Sequence, residues 1–493
     1  MTESMKPLFA IFCPAMGAIL ILLSDRRPNL REGWTLLASL CQFAIVLSMT
    51  PMVSNGDVIV CSPFTMLPGV DFAFKVDPFG LLFAITSSSL WILVSIYSIG
   101  YMRALNEHAQ TRFYFCFSLA ILGAVGVALS ANLVTMYIFY EILTVSTYPL
   151  VAHEQSSEAL FAGRKYLAYL LTAGCFLLGA IVLTYSMAGT TDFAKRGILT
   201  AATAPHSMLT VLFVLFLIGF MKAAYIPFHS WLPSAMVAPT PVSALLHAVA
   251  VVKAGVFGII RVVGYIYGVD LMHELGLGTL LASFAAITMI GASLFAIAQD
   301  NLKRRLAYST ISQLSYIVFG AALLSPMGLS GAMIHIPFHG FMKITLFLCA
   351  GSILVASGKK NVSEMAGIGR SMPVTMAAFT VGALGMCGVP PVCGFISKWF
   401  LGMGTLQAGN LTFLAVILIS SLLDIVYFFP IVYTAYFGSQ PGPAGCCGGQ
   451  EIREAPLTMI IPLSLTAFFS ILFYFPNPIT NTILTLAKMA ITH

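Results

Sequence analysis

Seven side chains able to hold or pass a proton sit where the sequence otherwise offers hydrocarbon: Glu141, Lys222, Lys253, His335, His339, Lys343 and Lys398. Lys222 follows an uncharged run from Ser207 to Met221 and opens "KAAYIPFHSWLP", where two prolines interrupt the helix soon after the ammonium. Lys398 lies in "MCGVPPVCGFISKWF", again a lysine with a proline break. Glu141 stands in "MYIFYEILTVSTYPLV" and Asp424 in "SSLLDIVYFFP", whereas the other sixteen of the 18 acidic residues fall in loops, span ends and termini. In "MIHIPFHGFMKITLF", His335, His339 and Lys343 recur at i, i+4 and i+8, a stripe along one helix face. "LLHAVAVVKAG" places His247 ahead of Lys253.

A charge at the centre of a bilayer costs a few kcal/mol even on lenient scales, and intramembrane ionisable groups mark ion and proton paths. Desolvation disfavours a buried ammonium and a nearby carboxylate favours it, so moving the carboxylate a few ångströms loads or unloads the proton. Proline frees a backbone carbonyl that needs a partner at membrane depth, which lets a break hold water beside its lysine. Each residue also has a plainer reading. The lysines and Glu141 could sit in structural ion pairs, His247 and His335 could cap carbonyls, and Asp424 could only hydrogen-bond a neighbouring helix. His229, at the break, is either structural or at the mouth of a water path. His229, His247 and Asp424 are therefore accessory candidates beside the seven. Arg261 is read as snorkelling from a span end.

These groups must be held by membrane-spanning helices. Only 9% of the 493 residues are charged and 59% are hydrophobic, too few charges for a water-covered surface. Fourteen apolar runs are long enough to span, at about 20 residues each: 7–24, 34–53, 79–100, 113–130, 132–151, 166–188, 207–228, 242–266, 277–298, 307–325, 328–355, 373–402, 410–436 and 456–475. The first lacks the basic flank and cleavage site of a signal peptide and is read as a retained span. The expected fold is an all-α polytopic membrane protein, one transmembrane domain over 1–493 with about 14 helices. The two broken spans are five apart and therefore cross in opposite directions, the pattern of an inverted repeat. It pairs spans four to eight (113–266) with nine to thirteen (277–436), leaving 456–475 as the last span; two unrelated kinks are the alternative.

Of the 24 Lys and Arg residues, fourteen fall in loops after odd-numbered spans, five at the termini or in the other loops, and five inside spans. The positive-inside rule then sets both termini on the non-cytoplasmic side of a cell inner (plasma) membrane. The dispersed basic residues give no nucleic-acid surface. Ten cysteines form no C-x-x-C pair, and Cys446 and Cys447 fall in a loop assigned to the reducing cytoplasm. No metal site, disulfide framework, phosphate-binding loop or haem-spaced histidine pair is evident. Any redox chemistry would belong to Fe–S or flavin groups in partner subunits.

"FYEILTVSTYPLV", "FMKAAYIPFHSWLPSAMVAPTPVSALLHAVAVVKAG", "DNLKRRLAYSTISQLSYI", "HIPFHGFMKITLFLCAGSI" and "GVPPVCGFISKWF" together resemble the antiporter-like proton-conducting membrane subunits. That family is shared by respiratory complex I, Mrp-type cation/proton antiporters and membrane-bound energy-converting hydrogenases. The resemblance runs from about 75 to about 435. It implies a fourteen-helix core with two inverted five-helix units, a Glu141–Lys222 pair, a central Lys253, a connecting His335/His339/Lys343 group, and Lys398 as the exchange point with the far side. Only one span and a short tail follow Arg453, which is similar to compact members such as the D-type antiporter subunit. The expected function is proton translocation within a multisubunit membrane complex, as in an Mrp-type Na⁺/H⁺ antiporter. The alternatives are the pump arm of a complex I-like or hydrogenase-like enzyme, and a solitary solute permease. The expected partners are other membrane subunits, H⁺, possible Na⁺ and lipid.

Overall fold

The computed structural model describes residues 2–438 and 452–492; Cys446 and Cys447 lie outside the described residues. Helices follow the apolar runs: α1 (Lys6–Leu23), α2 (Pro28–Ser54), α3 (Pro78–Ala104), α4 (Gln110–Leu129), α5 (Leu133–Val151), α6 (Ser157–Ala188) and α7 (His206–Gly219). Then come α8 (Val251–Arg261), α9 (Leu277–Ile297), α10 (Leu302–Ala322), α11 (Pro326–Ser357), α12 (Pro373–Cys387), α13 (Gly394–Gln407), α14 (Leu411–Phe437), α15 (Leu457–Leu472) and α16 (Pro478–Thr492).

The boundaries have local causes. Side chains of Asp77, Asn132, Ser156, Asn301, Ser325 and Asn410 each accept a backbone N–H three residues on, capping α3, α5, α6, α10, α11 and α14. Gly189 and Gly358, at φ 68° and 70°, close α6 and α11 in the left-handed conformation that glycine takes without steric penalty.

Ten helical segments among the described residues are long and apolar enough to cross a membrane. The other four expected runs differ for identifiable reasons. Those at 207–228 and 373–402 are broken, 456–475 forms a 16-residue helix, and 307–325 belongs to α10, whose "LKRRLAYSTISQLSY" dilutes its hydropathy. Two features depart from the all-α expectation with a bare tail. A small sheet joins β1 (Thr2–Glu3), parallel, to β2 (Ile59–Leu67), which pairs antiparallel with β3 (Val70–Val76). Its Pro68–Gly69 turn, with Gly69 at φ 77°, is the one sequence signal for it. The tail carries α16.

Two segments form the centre. Every residue of α11 from Gly328 to Ile353 is buried. α11 packs against α3, α10, α12, α13, α15 and the turns leading into α8. The span Thr240–Tyr267, which contains α8, is also enclosed. Outward-facing leucines, phenylalanines and isoleucines such as Phe161, Ile287 and Leu418 clothe the periphery, as a lipid-facing surface requires. β1 sits beside β2, and Tyr265 Oη donates to the Ala490 carbonyl at 3.3 Å, so the two ends of the described chain share a face. On the other face, Leu302 N donates to Lys360 O and Lys303 Nζ to Ala238 O.

Candidate functional site

Asp424 gathers one half of the site. The α14 carboxylate accepts from Lys398 Nζ at 2.7 Å and Gln313 Nε2 at 2.9 Å on Oδ2, and from the Tyr427 hydroxyl at 2.5 Å on Oδ1. Tyr427 Oη also lies 2.9 Å from Ser309 Oγ, and Ser309 accepts from Lys343 Nζ at 2.8 Å. The single hydroxyl hydrogen of Tyr427 serves either Asp424 Oδ1 or Ser309 Oγ, so this tyrosine stands between the carboxylate and the serine that Lys343 bonds. Lys343, Ser309, Tyr427 and Asp424 therefore form one continuous hydrogen-bonded row.

A branch enters through Gln313. Its amide nitrogen is held by Asp424, so its oxygen faces His335 Nε2 at 3.1 Å and fixes the proton on that nitrogen. His335 Nδ1 lies 2.8 Å from Ser397 Oγ, one residue before Lys398. One helical turn along α11, His339 stands with its ring centroid 5.7 Å from that of His335, and its Nδ1 is 2.7 Å from Lys253 Nζ on α8. The Nε2 of His339 and both ring nitrogens of the buried His247 have no hydrogen-bond partner.

The other half is built at the first break. α7 stops at Gly219, a single 3₁₀ turn (Met221–Ala223) holds Lys222, and Ala224 turns the chain at φ 57°. Side chains bond carbonyls around the break: Tyr140 Oη donates to Gly219 O at 3.1 Å, Trp231 Nε1 to Met221 O at 3.2 Å, and Tyr225 to Leu217 O. These three carbonyls at the break are bonded by protein side chains. Lys222 Nζ donates to the Tyr140 carbonyl and stands 3.3 Å from the centroid of the Tyr140 ring. Glu141 is turned instead toward Gly174 on α6, with Oε1 unpartnered. Lys222 and Glu141 are thus neighbours without an ion pair in this conformation, although their charges interact. The second break mirrors the first with a difference of order. Lys222 lies within its break, in the turn after α7, whereas Lys398 follows the interruption between α12 and α13 and sits inside α13.

Several sequence expectations change. Arg261 does not snorkel: it is 1% exposed, makes a two-pronged ion pair with Asp77, and is ringed by Phe79, Phe193, Phe257 and Tyr265. The cause is Asp77, whose carboxylate caps α3 directly beneath the last turn of α8. Asp424, an accessory candidate by sequence, is the most heavily bonded acid of the network. His229 stands apart, its ring near Phe295 and Tyr308. Tyr140, Ser309, Gln313, Ser397 and Tyr427 carry no sequence signal beyond lying in the apolar spans; hydroxyl and amide side chains are common there.

Residues 130–424 match the family described as "NADH:quinone oxidoreductase/Mrp antiporter, TM", and residues 68–114 match "NADH-Ubiquinone oxidoreductase (complex I), chain 5 N-terminus". The chain is 34% identical over 400 residues to the N-type NADH-quinone oxidoreductase subunit of Desulforudis audaxviator, covering 79% of each protein. It is 30% identical over 515 residues to the A-type Na⁺/H⁺ antiporter subunit of Alkalihalophilus pseudofirmus, covering 98% of this chain but only 63% of that longer protein. Among solved structures, a chain of the archaeal membrane-bound sulfane sulfur reductase superposes with a TM-score of 0.88 at 25% identity, over 99% of this chain and 98% of that one. A chain of the Mrp complex from Dietzia sp. DQ12-45-1b gives 0.86 at 23% identity over 99% and 96%, a likeness of fold.

Proposed function

The chain belongs to the NADH:quinone oxidoreductase/Mrp antiporter family of membrane proteins, and from that premise we propose that it moves protons across the membrane as one subunit of a larger complex. The observation that carries this reading is the continuous hydrogen-bonded row Lys343–Ser309–Tyr427–Asp424, with Lys398 on the far oxygen of the acid. Once the Ser309 hydroxyl turns its hydrogen toward Tyr427, a proton leaving Lys343 Nζ for Ser309 displaces the serine proton to Tyr427 and the tyrosine proton to Asp424 Oδ1. Neutralising Asp424 removes the counter-charge of Lys398, which then releases its own proton toward the exposed end of α13. Resetting requires the hydroxyls to rotate and Lys343 to be reloaded through the His335/His339 stripe from Lys253.

At the first break, Lys222 and Glu141 provide the complementary switch. Bringing a carboxylate to about 4 Å from an ammonium is worth roughly 4 kcal/mol at an effective dielectric near 20. A small rotation of either side chain would therefore alter proton retention substantially. An Mrp-type cation/proton antiporter is the principal reading. The pump arm of a redox complex is the second, favoured by the reciprocal 79% coverage of the N-type oxidoreductase subunit; Fe–S or flavin groups would then lie in partner subunits. A plasma-membrane location with both termini outside the cytoplasm is part of the proposal.

The test uses the assembled complex in proteoliposomes. Tyr427→Phe deletes one hydroxyl of the row and should slow proton movement at least about tenfold, a barrier rise of about 1.4 kcal/mol. Lys222→Ala and Glu141→Ala should abolish it. Wild-type rates in correctly assembled Tyr427→Phe and Lys222→Ala complexes would overturn the relay. Stoichiometric iron, sulfide or flavin in the purified complex would select the redox reading; a chromophore-free complex that exchanges cations for protons would select the antiporter.

A further inference from the structure

Away from the relay, the turn after α3 meets the turn after α5. Glu107 and His108 close the first and His153 lies two residues beyond the end of α5. Their ligand atoms all fall within 4.8 Å of one another. Glu107 Oε2 is 4.0 Å from His108 Nδ1 and 3.9 Å from His153 Nε2, and the two imidazoles stack with centroids 4.8 Å apart. His153 is fully buried, yet neither of its ring nitrogens makes a hydrogen bond. Buried polar atoms in folded proteins are almost always bonded, so an imidazole with two free nitrogens, one facing a carboxylate, is incomplete as a structural element.

We propose that Glu107, His108 and His153 bind a Zn²⁺-class transition-metal dication that fastens the turn after α3 to the turn after α5. Two imidazole nitrogens and one carboxylate oxygen suit zinc, cobalt, nickel or copper; magnesium and calcium take oxygen donors. Three protein ligands leave a tetrahedral ion one position for water. Metal–ligand distances of about 2.0–2.2 Å put tetrahedral donor atoms about 3.4 Å apart. The carboxylate–imidazole gaps here need to close by about half an ångström, within side-chain rotation. His108, 50% exposed, opens the site to the aqueous face. Arg112 donates its Nη2 to the His153 carbonyl at 3.0 Å and not to the ring, which the His108 backbone also faces. Lys303 and Glu154 also face Glu107 and oppose one another in charge.

The sequence conceals this set because two ligands are adjacent and the third is supplied from beyond two intervening helices. The test uses the full chain with its accompanying subunits, stripped by chelator and dialysed. Zinc should bind with one ion more per chain in the wild type than in His108→Ala or Glu107→Gln. Cobalt should give a visible ligand-field band that both variants lose. Zinc, and not magnesium at the same concentration, should raise the melting temperature of the wild type alone. His108→Ala alters a half-exposed side chain, so its metal-free melting temperature should match the wild type and keep the comparison valid. Equal zinc stoichiometry in wild type and variants, or a wild type without a cobalt band, would overturn the proposal.

Discussion

Asp424 is a structural partner to three elements at once, and in the proposed relay it is also the switch. It takes three donors, from α10, α13 and its own helix, so no oxygen is left without a bond. Such a group is stable only while the whole set is intact. Removing one member of a buried ion pair leaves the other uncompensated and typically costs about 3–5 kcal/mol. Asp424→Asn should therefore lower the melting temperature and stop translocation. Asp424→Glu, which keeps the charge, should recover part of both. A fully active, equally stable Asp424→Asn complex would show that Lys398 does not depend on this carboxylate. Gln313 and Ser309 illustrate the limit of reading single residues. Neither is ionisable, and both matter only because α10 turns them toward α11 and α14.

At the scale of elements, the first break is packed closely at the turn that holds Lys222. α8 can approach the Lys222 turn because Gly255 has no side chain: a Cβ there would lie 2.6 Å from the carbonyl carbon of Lys222 and would strike the Ala223 nitrogen. Gly255→Val should push the turn away from α8, destabilise the fold by about 1–3 kcal/mol through overpacking, and lower proton movement. Gly264→Ala, where a Cβ meets nothing within 4 Å, should be neutral in both measurements. A neutral Gly255→Val would mean that the break is loosely held. The Asp77–Arg261 pair does similar work at the opposite end of α8, tying its last turn to the cap of α3.

For the molecule as a whole, the loops after the third, fifth, seventh, ninth and eleventh expected spans converge on one face, where Lys303, Lys359 and Lys360 line a shared cavity. The opposite face carries the small sheet, Lys195, Arg196 and the end of α16. The charge bias then predicts sidedness. In intact cells, a single cysteine replacing Lys195 should react with a membrane-impermeant maleimide, and one replacing Lys359 should react only after the membrane is opened. The reverse pattern would invert the orientation of every element without altering the internal network.

The class of the protein and the identity of most ionisable groups are legible in the chain's residue order, because each buried charge is costly enough to stand out against hydrocarbon. Both breaks are legible too, since proline leaves a mark at its own position. Pairings are a different matter. Glu141 and Lys222 look like partners in sequence, yet in this conformation they face Gly174 and the Tyr140 carbonyl. Asp424 looks peripheral and is the hub, Arg261 looks exposed and is enclosed, and the Glu107–His108–His153 set leaves no pattern at all. A hydrogen bond depends on tenths of an ångström between side chains from distant helices, and rotation of those helices about their axes is set by packing. Apolar periodicity carries little of that information where α11 and the span around α8 are buried on every side, so which donor meets which acceptor is fixed by helix packing in three dimensions.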